Sequence, residues 1–251
     1  MLRIIINGIL GKMGQVLCSK ILQEQDFILI GGVDTLEAYY ADEIIVTTSP
    51  TELLEDTDIV VDFSSGAGAA AIARACLHKS TPLITGTTSL HSDHQDSIVK
   101  LSQTAPVLQT SNFSIGMNLL FSLLEDAVEK LSGRFDAEII DIGSRMVKES
   151  PAASAVQLSN IISGHLRSSN EILNPEERLP KIHSLRGGNS CAEEQVHLFY
   201  GCESLSISHK TLSYAAYVHG VMAALRWLPN QQAGLFSMQD LLSDNPEFNS
   251  I

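Results

Sequence analysis

The chain has 251 residues, of which 44% are hydrophobic and 18% are charged, and this composition excludes a wholly disordered protein. A formal net charge of −13 argues against nucleic acid as the main partner, because phosphate contacts require clustered Lys and Arg. The apolar runs are too short to span a membrane, and the N-terminus lacks the pattern of a secretory signal, so we expect a cytoplasmic protein without a membrane partner. The four cysteines are scattered, which predicts reduced thiols and no metal site.

The first predicted element is a strand that ends in a glycine-rich turn. Ile4–Ile6 form a buried strand, the glycines Gly8, Gly11 and Gly14 follow at three-residue spacing, and residues 15–23 form a helix. Such a turn lets a pyrophosphate approach the backbone, and the helix presents free N–H groups to it. The common dinucleotide fingerprint is G-x-G-x-x-G, whereas the spacing here is G-x-x-G-x-x-G. The pattern predicts a dinucleotide site, and a glycine turn without any ligand is the alternative.

Asp34 ends the next predicted strand, twenty residues after Gly14. An acid at this distance can accept hydrogen bonds from a ribose 2′-hydroxyl. Asp34 favours NADH because its charge repels a 2′-phosphate, whereas Lys12 could pair with that phosphate in NADPH. The sequence therefore predicts NADH or NADPH and leaves the choice open.

Strand and helix patterns alternate through the rest of the first half. This alternation predicts a Rossmann-type α/β fold, a doubly wound parallel sheet whose ligands bind at the carboxyl ends of the strands. The segments predicted at those ends are Gly8–Gly14, Asp34, Phe63–Ser65 and Gly86–Ser89.

The second half predicts an α+β domain with a mixed sheet. Helical patterns cover residues 117–131 and 154–166, strands are predicted at 137–146, 196–201 and 204–209, and residues 166–184 read as a surface loop. Residues 218–228 form a final apolar helix. We expect a dinucleotide-binding domain at 1–112 and 220–251, and a substrate-binding and oligomerisation domain at 113–219.

Short motifs along nearly the whole chain resemble those of the 4-hydroxy-tetrahydrodipicolinate reductase (dihydrodipicolinate reductase) family. GILGKMG resembles the family's G-x-x-G-R-M-G with Lys12 for Arg, and NFSIGMN resembles its N-F-S-x-G-V-N. The other matching segments are VVDFS, TGTTS, SISHKTLS, HGVMAALRWL and GLFSMQDLL.

The resemblance implies NAD(P)H-dependent reduction of 4-hydroxy-tetrahydrodipicolinate to tetrahydrodipicolinate in diaminopimelate and lysine biosynthesis. It also implies a homotetramer built through the sheet of the second domain. For Met13 and Phe113, packing without cofactor contact is the alternative. The cofactor-binding residues expected from the resemblance and the turn are Gly8, Gly11, Lys12, Met13, Gly14, Asp34, Phe63, Gly86, Thr87, Thr88, Asn112 and Phe113.

The active-site signature is where the chain departs from the family. The family carries E-x-H-H-x-x-K-x-D-A-P-S-G-T, and residues 141–154 read DIGSRMVKESPAAS. The two histidines fall on Gly143 and Ser144, and the lysine position falls on Val147. Lys148 follows one residue late. A further family histidine is replaced by Glu194.

We expect Lys148 and Ser144 to be catalytic, as an i, i+4 pair if the segment is helical, with water as another proton source. Lys148, Ala153 and Ser154 are expected to bind the dicarboxylate substrate at the start of a helix, with Arg145 as a further cation. Three further questions stay open. Lys148 and Glu149 could be a solvated pair, His209 could be a core or subunit-contact histidine, and Asp62 could cap a helix.

Three functions stay open at this point. The first is a working reductase with a rebuilt proton-donor site. The second is a non-catalytic NAD(P)-binding relative, and the third is a dehydrogenase of another small acid.

Overall fold

The computed structural model describes residues 1–40, 44–88, 90–168, 178–189 and 191–244. The chain forms two compact units, Met1–Phe113 with Tyr217–Ile251, and Ser114–Ala216. In the described part of the chain, no helix combines the length and apolar character needed to cross a membrane.

The first unit is built on an eight-stranded sheet with the order β12-β7-β6-β5-β1-β2-β4-β3. Every neighbouring pair is parallel except β3 with β4. The strands are β1 (Leu2–Asn7), β2 (Phe27–Val33), β3 (Ala38–Tyr40), β4 (Ile44–Thr47), β5 (Ile59–Asp62), β6 (Leu83–Thr85), β7 (Pro106–Gln109) and β12 (Gly234–Phe236). The helices are α1 (Lys12–Ile21), α2 (Thr51–Leu54), α3 (Gly66–Cys76), α4 (Ser92–Ser102), α7 (Ala215–Trp227) and α8 (Met238–Asp244).

The centre of this sheet follows directly from the apolar runs of the sequence. Ile4–Ile6 in β1 and Ile59–Val61 in β5 are fully buried, as expected for parallel strands covered on both faces. The chain runs outward from β1 through β2 and returns to place β5 on the other side of β1, so the strand order reverses between them. Ligands of doubly wound sheets bind at such a reversal.

The second unit is a four-stranded mixed sheet, ordered β11-β10-β8-β9, with one face covered by two helices. Its elements are α5 (Ile115–Leu131), β8 (Asp136–Gly143), α6 (Ala153–Ser168), β9 (Lys181–Arg186), β10 (Glu193–Tyr200) and β11 (Glu203–Lys210). The core packs residues such as Phe121 and Leu124 of α5 and Leu158 of α6 against Ile139 and Val196 of the sheet. The predicted fold class, a Rossmann-type sheet plus an α+β unit, is confirmed.

Several segments differ from the sequence prediction. The strand predicted at 137–146 ends at Gly143. The predicted surface loop at 166–184 is wrong at both ends, because α6 continues to Ser168 and β9 begins at Lys181. The first polar residues of β9 are compatible with a strand because only alternate residues turn inward, and β9 pairs in register with β8. The short strand β3 was not predicted. The middle of the predicted loop, residues 169–177, and Ser89 lie outside the described residues.

Candidate functional site

The glycine turn after β1 depends on the missing side chain of Gly8. Gly8 has a φ of +82°, and a Cβ atom there would lie 2.5 Å from the carbonyl oxygen of Phe63. Glycine accepts a positive φ at little cost, whereas other residues are strained there. Gly8 therefore lets the end of β1 lie directly against the end of β5.

Gly14 lies in the first turn of α1 and is buried. A Cβ atom on Gly14 would lie 2.2 Å from the carbonyl oxygen of Gly8 and 2.7 Å from the Cα of Ile9. The space left by its missing side chain is therefore filled by the backbone of the turn. Gly14 allows the helix to pack closely on the strand, which is the structural role of the last glycine in dinucleotide turns.

The start of α1 has the properties that an anion requires. Gly11 is its N-cap and Lys12 its first residue, and within the described residues no side chain caps this end. The first turn also contains no acidic residue. The N–H groups and the positive end of the helix dipole are therefore compatible with a pyrophosphate.

Asp34 lies beside this turn, directly after β2. One carboxylate oxygen accepts the N–H of Leu10 at 2.9 Å, and the other accepts the N–H of Thr35 at 2.8 Å. Asp34 thus links the glycine turn to the end of β2. The oxygen that accepts the N–H of Thr35 also accepts the hydroxyl of Thr35 at 3.3 Å, so the oxygen bound to Leu10 is the one with a lone pair that a ribose hydroxyl could use.

A cavity of about 400 Å³ opens at the carboxyl ends of the central strands. The ring of Phe63 packs edge-to-face on that of Phe113, with centroids 5.4 Å apart, and Gly86 lies against both rings. The cavity thus combines an apolar wall with several hydroxyl groups. It is lined by Met13, Phe63, Ser64, Ser65, Gly86, Thr87 and Thr88.

Most of the residues that the sequence predicted for the cofactor therefore come together in this unit. Asn112 also belongs to it, and its N–H donates to the hydroxyl of Thr110 at 3.1 Å. The assignment of these residues to cofactor binding stays a prediction.

The buried carboxylate of Asp62 accepts hydrogen bonds from several strands and loops, a role that the sequence analysis did not predict. Its carboxylate is fully buried and accepts hydrogen bonds from Asn7 Nδ2 at 2.7 Å and from the hydroxyls of Thr85 and Thr87 at 2.7 and 2.8 Å. The backbone and hydroxyl of Ser64 donate to it as well. Asp62 thus fixes the loops around the cavity. The helix-cap alternative for Asp62 is wrong, because Ser65 caps α3.

Asn7, Asp62 and Thr85 are cross-strand partners on β1, β5 and β6. We call this set the Asp62 row.

In the second unit, the segment that follows β8 is a turn and not a helix. The hydroxyl of Ser144 donates to the carbonyl of Gly188 at 3.3 Å and accepts the N–H of Met146 at 3.2 Å. Lys148 lies further along the turn and is exposed. The predicted helical pairing of Ser144 with Lys148 is therefore wrong, because four residues in an extended turn do not bring two side chains onto one face.

Asp141 anchors both ends of this turn. Its buried Oδ2 atom accepts from Arg186 Nη2 at 2.7 Å, from the N–H of Ala152 at 2.9 Å and from the hydroxyl of Ser184 at 3.0 Å. Burial by itself raises the pKa of Asp141, but these hydrogen bonds and the charge of Arg186 outweigh it and lower the pKa below its usual value. Asp141 is therefore held as a carboxylate beneath the start of α6.

Ser154, in the first turn of α6, donates its hydroxyl to Oε1 of Glu194 at 2.5 Å. Glu194 is 2% exposed, and its other oxygen lies 3.7 Å from Nδ1 of His209. Nε2 of His209 is 3.2 Å from the hydroxyl of Ser114, the N-cap of α5. His209 is thus partly buried and lies between Glu194 and the start of α5, and whether it serves in the core or at a subunit contact stays a prediction.

Four of these residues form a second cross-strand row. Ser184, Asp141, Glu194 and His209 are partners on β9, β8, β10 and β11. We call this set the Glu194 row. Sequence reasoning missed it, although a signal existed. Asp141 and Glu194 lie two residues from Ile139 and Val196, and therefore at inward positions of alternating strands.

Models of two protein families match the chain, and together they span most of it. Residues 2–113 match "Dihydrodipicolinate reductase, N-terminus", and residues 116–242 match "Dihydrodipicolinate reductase, C-terminus".

Curated proteins and a solved structure extend this match. The 4-hydroxy-tetrahydrodipicolinate reductase of Aquifex aeolicus is 31% identical, with 96% of this chain and 98% of that protein covered. That of Methanospirillum hungatei is 30% identical over 97% and 99%. A dipicolinate-bound dihydrodipicolinate reductase from Paenisporosarcina has a TM-score of 0.78 at 18% identity, covering 94% of this chain and 97% of that one, and supports the fold. The predicted family is confirmed, and the chain belongs to the dihydrodipicolinate reductase family.

Proposed function

We propose that the chain reduces 4-hydroxy-tetrahydrodipicolinate to tetrahydrodipicolinate with NADH or NADPH, within diaminopimelate and lysine biosynthesis. Relatives that carry this name cover nearly the whole chain, which makes it an NAD(P)H-dependent oxidoreductase. The observation that carries the proposal is the cavity at the carboxyl ends of β1, β5 and β6, next to an uncapped helix start. That arrangement suits a dinucleotide, which supplies the hydride when it is bound.

The first unit would hold the cofactor through its backbone. The N–H of Gly11 itself donates to the carbonyl of Gly8 at 3.1 Å, so the positive end of the α1 dipole and the N–H groups of its first turn would hold the pyrophosphate. The carboxylate of Asp34 would accept from a ribose hydroxyl. The apolar wall of Phe63 and Phe113 would exclude water from the reactive ring. The remaining members of the proposed binding set are Gly8, Met13, Gly14, Gly86, Thr87, Thr88 and Asn112.

The second unit would hold the substrate. The solved Paenisporosarcina relative is described as bound to dipicolinate, a dicarboxylate. A dicarboxylate requires N–H groups and cations. Here the start of α6, with Ala153 and Ser154, offers N–H groups. The exposed side chains of Arg145 and Lys148 offer cations.

For the proton that completes the reduction, we propose Lys148, the hydroxyl of Ser144, or water. The hydroxyl of Ser144 already donates to Gly188, so it can donate a proton only if that hydrogen bond opens. A positioned donor typically contributes about 10²- to 10⁴-fold, so a poor donor slows such an enzyme without abolishing its activity.

We also propose that the chain assembles as a cytoplasmic homotetramer through the outer face of the second sheet. Leu185 and Phe199 on this face are 54% and 46% exposed, and Ile140 and Ile142 are half-buried beside them. Apolar area of this kind favours association. Light scattering should give four times the chain mass, and a monomer at micromolar concentration would contradict the assembly.

Coupled turnover tests the activity itself. Freshly made 4-hydroxy-tetrahydrodipicolinate should be consumed with one equivalent of NADH or NADPH. Replacing Ser144 by His should raise the rate if proton donation is limiting, with a new dependence on a group that titrates near neutral pH. Protein that binds NADH but never turns over the substrate, at any pH, would favour the non-catalytic alternative.

A further inference from the structure

Glu194 occupies an unusual place for a carboxylate, because it is buried beside the helix start that would attract the substrate's own carboxylate. It lies on β10, is 2% exposed and accepts the hydroxyl of Ser154 at 2.5 Å. A hydroxyl has a single proton. While Ser154 donates that proton to Glu194, it offers an incoming carboxylate only lone pairs.

The neighbours of Glu194 determine how much negative charge it presents. On β8 it adjoins Asp141, whose charge is matched by Arg186 at 2.7 Å. On β11 it faces His209, whose Nδ1 lies 3.7 Å from its Oε2 and is buried without a hydrogen-bond partner among the described residues. From α6, the described group that contacts Glu194 is the hydroxyl of Ser154. Protonated His209 is therefore the cation placed to balance Glu194.

Two polar groups lie near the imidazole of His209, and one of them is charged. Glu194 faces it from β10, and the hydroxyl of Ser114 at the start of α5 lies 3.2 Å from its Nε2. A buried carboxylate that loses its counter-charge is costly and repels any anion bound nearby. The protonation of His209 thus decides whether the pair is neutral or carries one negative charge.

We propose that Glu194 and His209 are positioning residues that set, through Ser154, how strongly the start of α6 holds a substrate carboxylate. This inference rests on the proposed function, because it takes Ser154 as a substrate contact. When His209 is protonated, the pair is neutral and the dicarboxylate binds well. When His209 is neutral, Glu194 holds the hydroxyl of Ser154 and repels the substrate.

The proposal predicts the direction in which the KM changes with pH. The KM for the dicarboxylate should therefore be lower when His209 carries a proton than when it does not, and so lower at acidic than at alkaline pH. The turnover number kcat and the affinity for NADH should change little, because neither residue is proposed to touch the reacting atoms.

Glu194→Gln is the decisive variant. The amide is neutral and can donate to the hydroxyl of Ser154, which frees the hydroxyl proton for the substrate. At about pH 8 the KM should fall roughly fivefold or more, since a charge within about 5 Å of the bound carboxylate is removed, and the pH dependence should flatten. His209→Asn should raise the KM at low pH, and the double variant should behave like Glu194→Gln.

Glu193→Gln provides the matched control. Glu193 precedes Glu194 on β10, is paired with Lys210 at 2.8 Å, and points to the other face of the sheet. The same loss of one carboxylate there should leave the KM and its pH profile as in the wild type. If Glu194→Gln and Glu193→Gln give the same KM at about pH 6 and pH 8, the inference is overturned.

A parallel measurement separates this inference from the proposed function. Calorimetric titration with dipicolinate gives a Kd that requires no turnover. If no variant reduces the substrate but the Kd for dipicolinate follows the expected pattern, the proposed reaction fails and the inference stands. If turnover is normal but neither KM nor Kd responds to Glu194→Gln, the reaction stands and the inference fails. Should His209→Asn not fold, Glu194→Gln alone decides.

Discussion

A polar row crosses neighbouring strands in each of the two sheets, and the buried carboxylates of the two rows are stabilised in different ways. In the Asp62 row, the donors to the fully buried carboxylate among the described residues are an amide, a backbone N–H and hydroxyls. In the Glu194 row, the carboxylates of Asp141 and Glu194 face Arg186 and His209. The Asp62 row therefore relies on hydrogen bonds from neutral groups, whereas the Glu194 row includes the ion pair of Asp141 with Arg186 and places an imidazole beside Glu194.

The two proposed binding regions should therefore differ in their sensitivity to added atoms and to altered charges. Backbone packing around Gly8 and Gly14 does not titrate near neutral pH, but it tolerates no added atom. Charge pairs such as Asp141 with Arg186 tolerate small movements, but they depend on pH and on the presence of both partners. Steric changes should therefore damage the first unit most, and charge changes the second.

The largest effect is expected from Gly14→Ala. Its Cβ would lie 2.2 Å from the carbonyl oxygen of Gly8, so α1 must separate from the turn. We expect a loss of about 3–5 kcal/mol in the free energy of unfolding, together with loss of NADH binding. Urea denaturation and calorimetry with NADH measure the two effects.

Gly164→Ala in α6 is the matched control, because a Cβ there would meet no atom within 4 Å from the described residues outside its own helix backbone. Alanine favours a helix over glycine, so this variant should be stabilised by up to about 1 kcal/mol. A Gly14→Ala protein with wild-type stability would show that the turn is not as closely packed as described.

The next largest effect concerns Arg186. Arg186→Met leaves the carboxylate of Asp141 buried without its cation, which should cost about 3–4 kcal/mol in the free energy of unfolding at pH 7. An exposed pair offers the comparison. Asp126→Asn removes the partner of Lys130 on α5, and that variant should lose less than about 0.5 kcal/mol.

The lowered pKa of Asp141 predicts that the protein becomes less stable in acid. Its pKa is lower in the folded protein, so its stabilising contribution is present above the unfolded value of about 3.9 and is lost as the pH falls through the lower folded value. The urea midpoint of the wild type should therefore decrease below about pH 4, and that of Asp141→Asn should decrease less. Parallel acid curves for the two proteins would contradict the assignment.

A smaller effect is expected from Lys148→Ala. Loss of one charge-assisted hydrogen bond to the substrate is worth roughly 1.5–3 kcal/mol, so kcat/KM should fall about ten- to a hundredfold. The affinity for NADH should not change, because the residue lies in the other unit. Lys130→Ala, another exposed lysine of the second unit, is the control. Equal kcat/KM values in the two variants would mean that Lys148 is only a solvated side chain.

The sequence predicted the elements whose pattern is local. Continuous apolar runs gave β1 and β5, and the glycine spacing gave the turn, because each depends on neighbours within a few residues. The Glu194 row could not be found in this way, since Asp141 and His209 are far apart in sequence and each becomes a neighbour of Glu194 only through strand pairing. The turn at 144–150 was missed for a related reason. Its shape depends on Asp141 and Gly188, which lie outside it.

The smallest expected effect concerns the choice of nucleotide at Asp34. Its carboxylate accepts the N–H of Leu10, so removing it affects the turn as well as the charge. Asp34→Asn keeps an acceptor oxygen while removing the charge, and Asp34→Ala removes both. If Asp34 faces the ribose, both variants should raise the ratio of kcat/KM for NADPH to that for NADH by about tenfold, since repulsion of the 2′-phosphate is relieved. Only Asp34→Ala should also lose stability. An unchanged ratio in both variants would place the 2′-hydroxyl elsewhere and leave Asp34 as a structural link between β2 and the glycine turn.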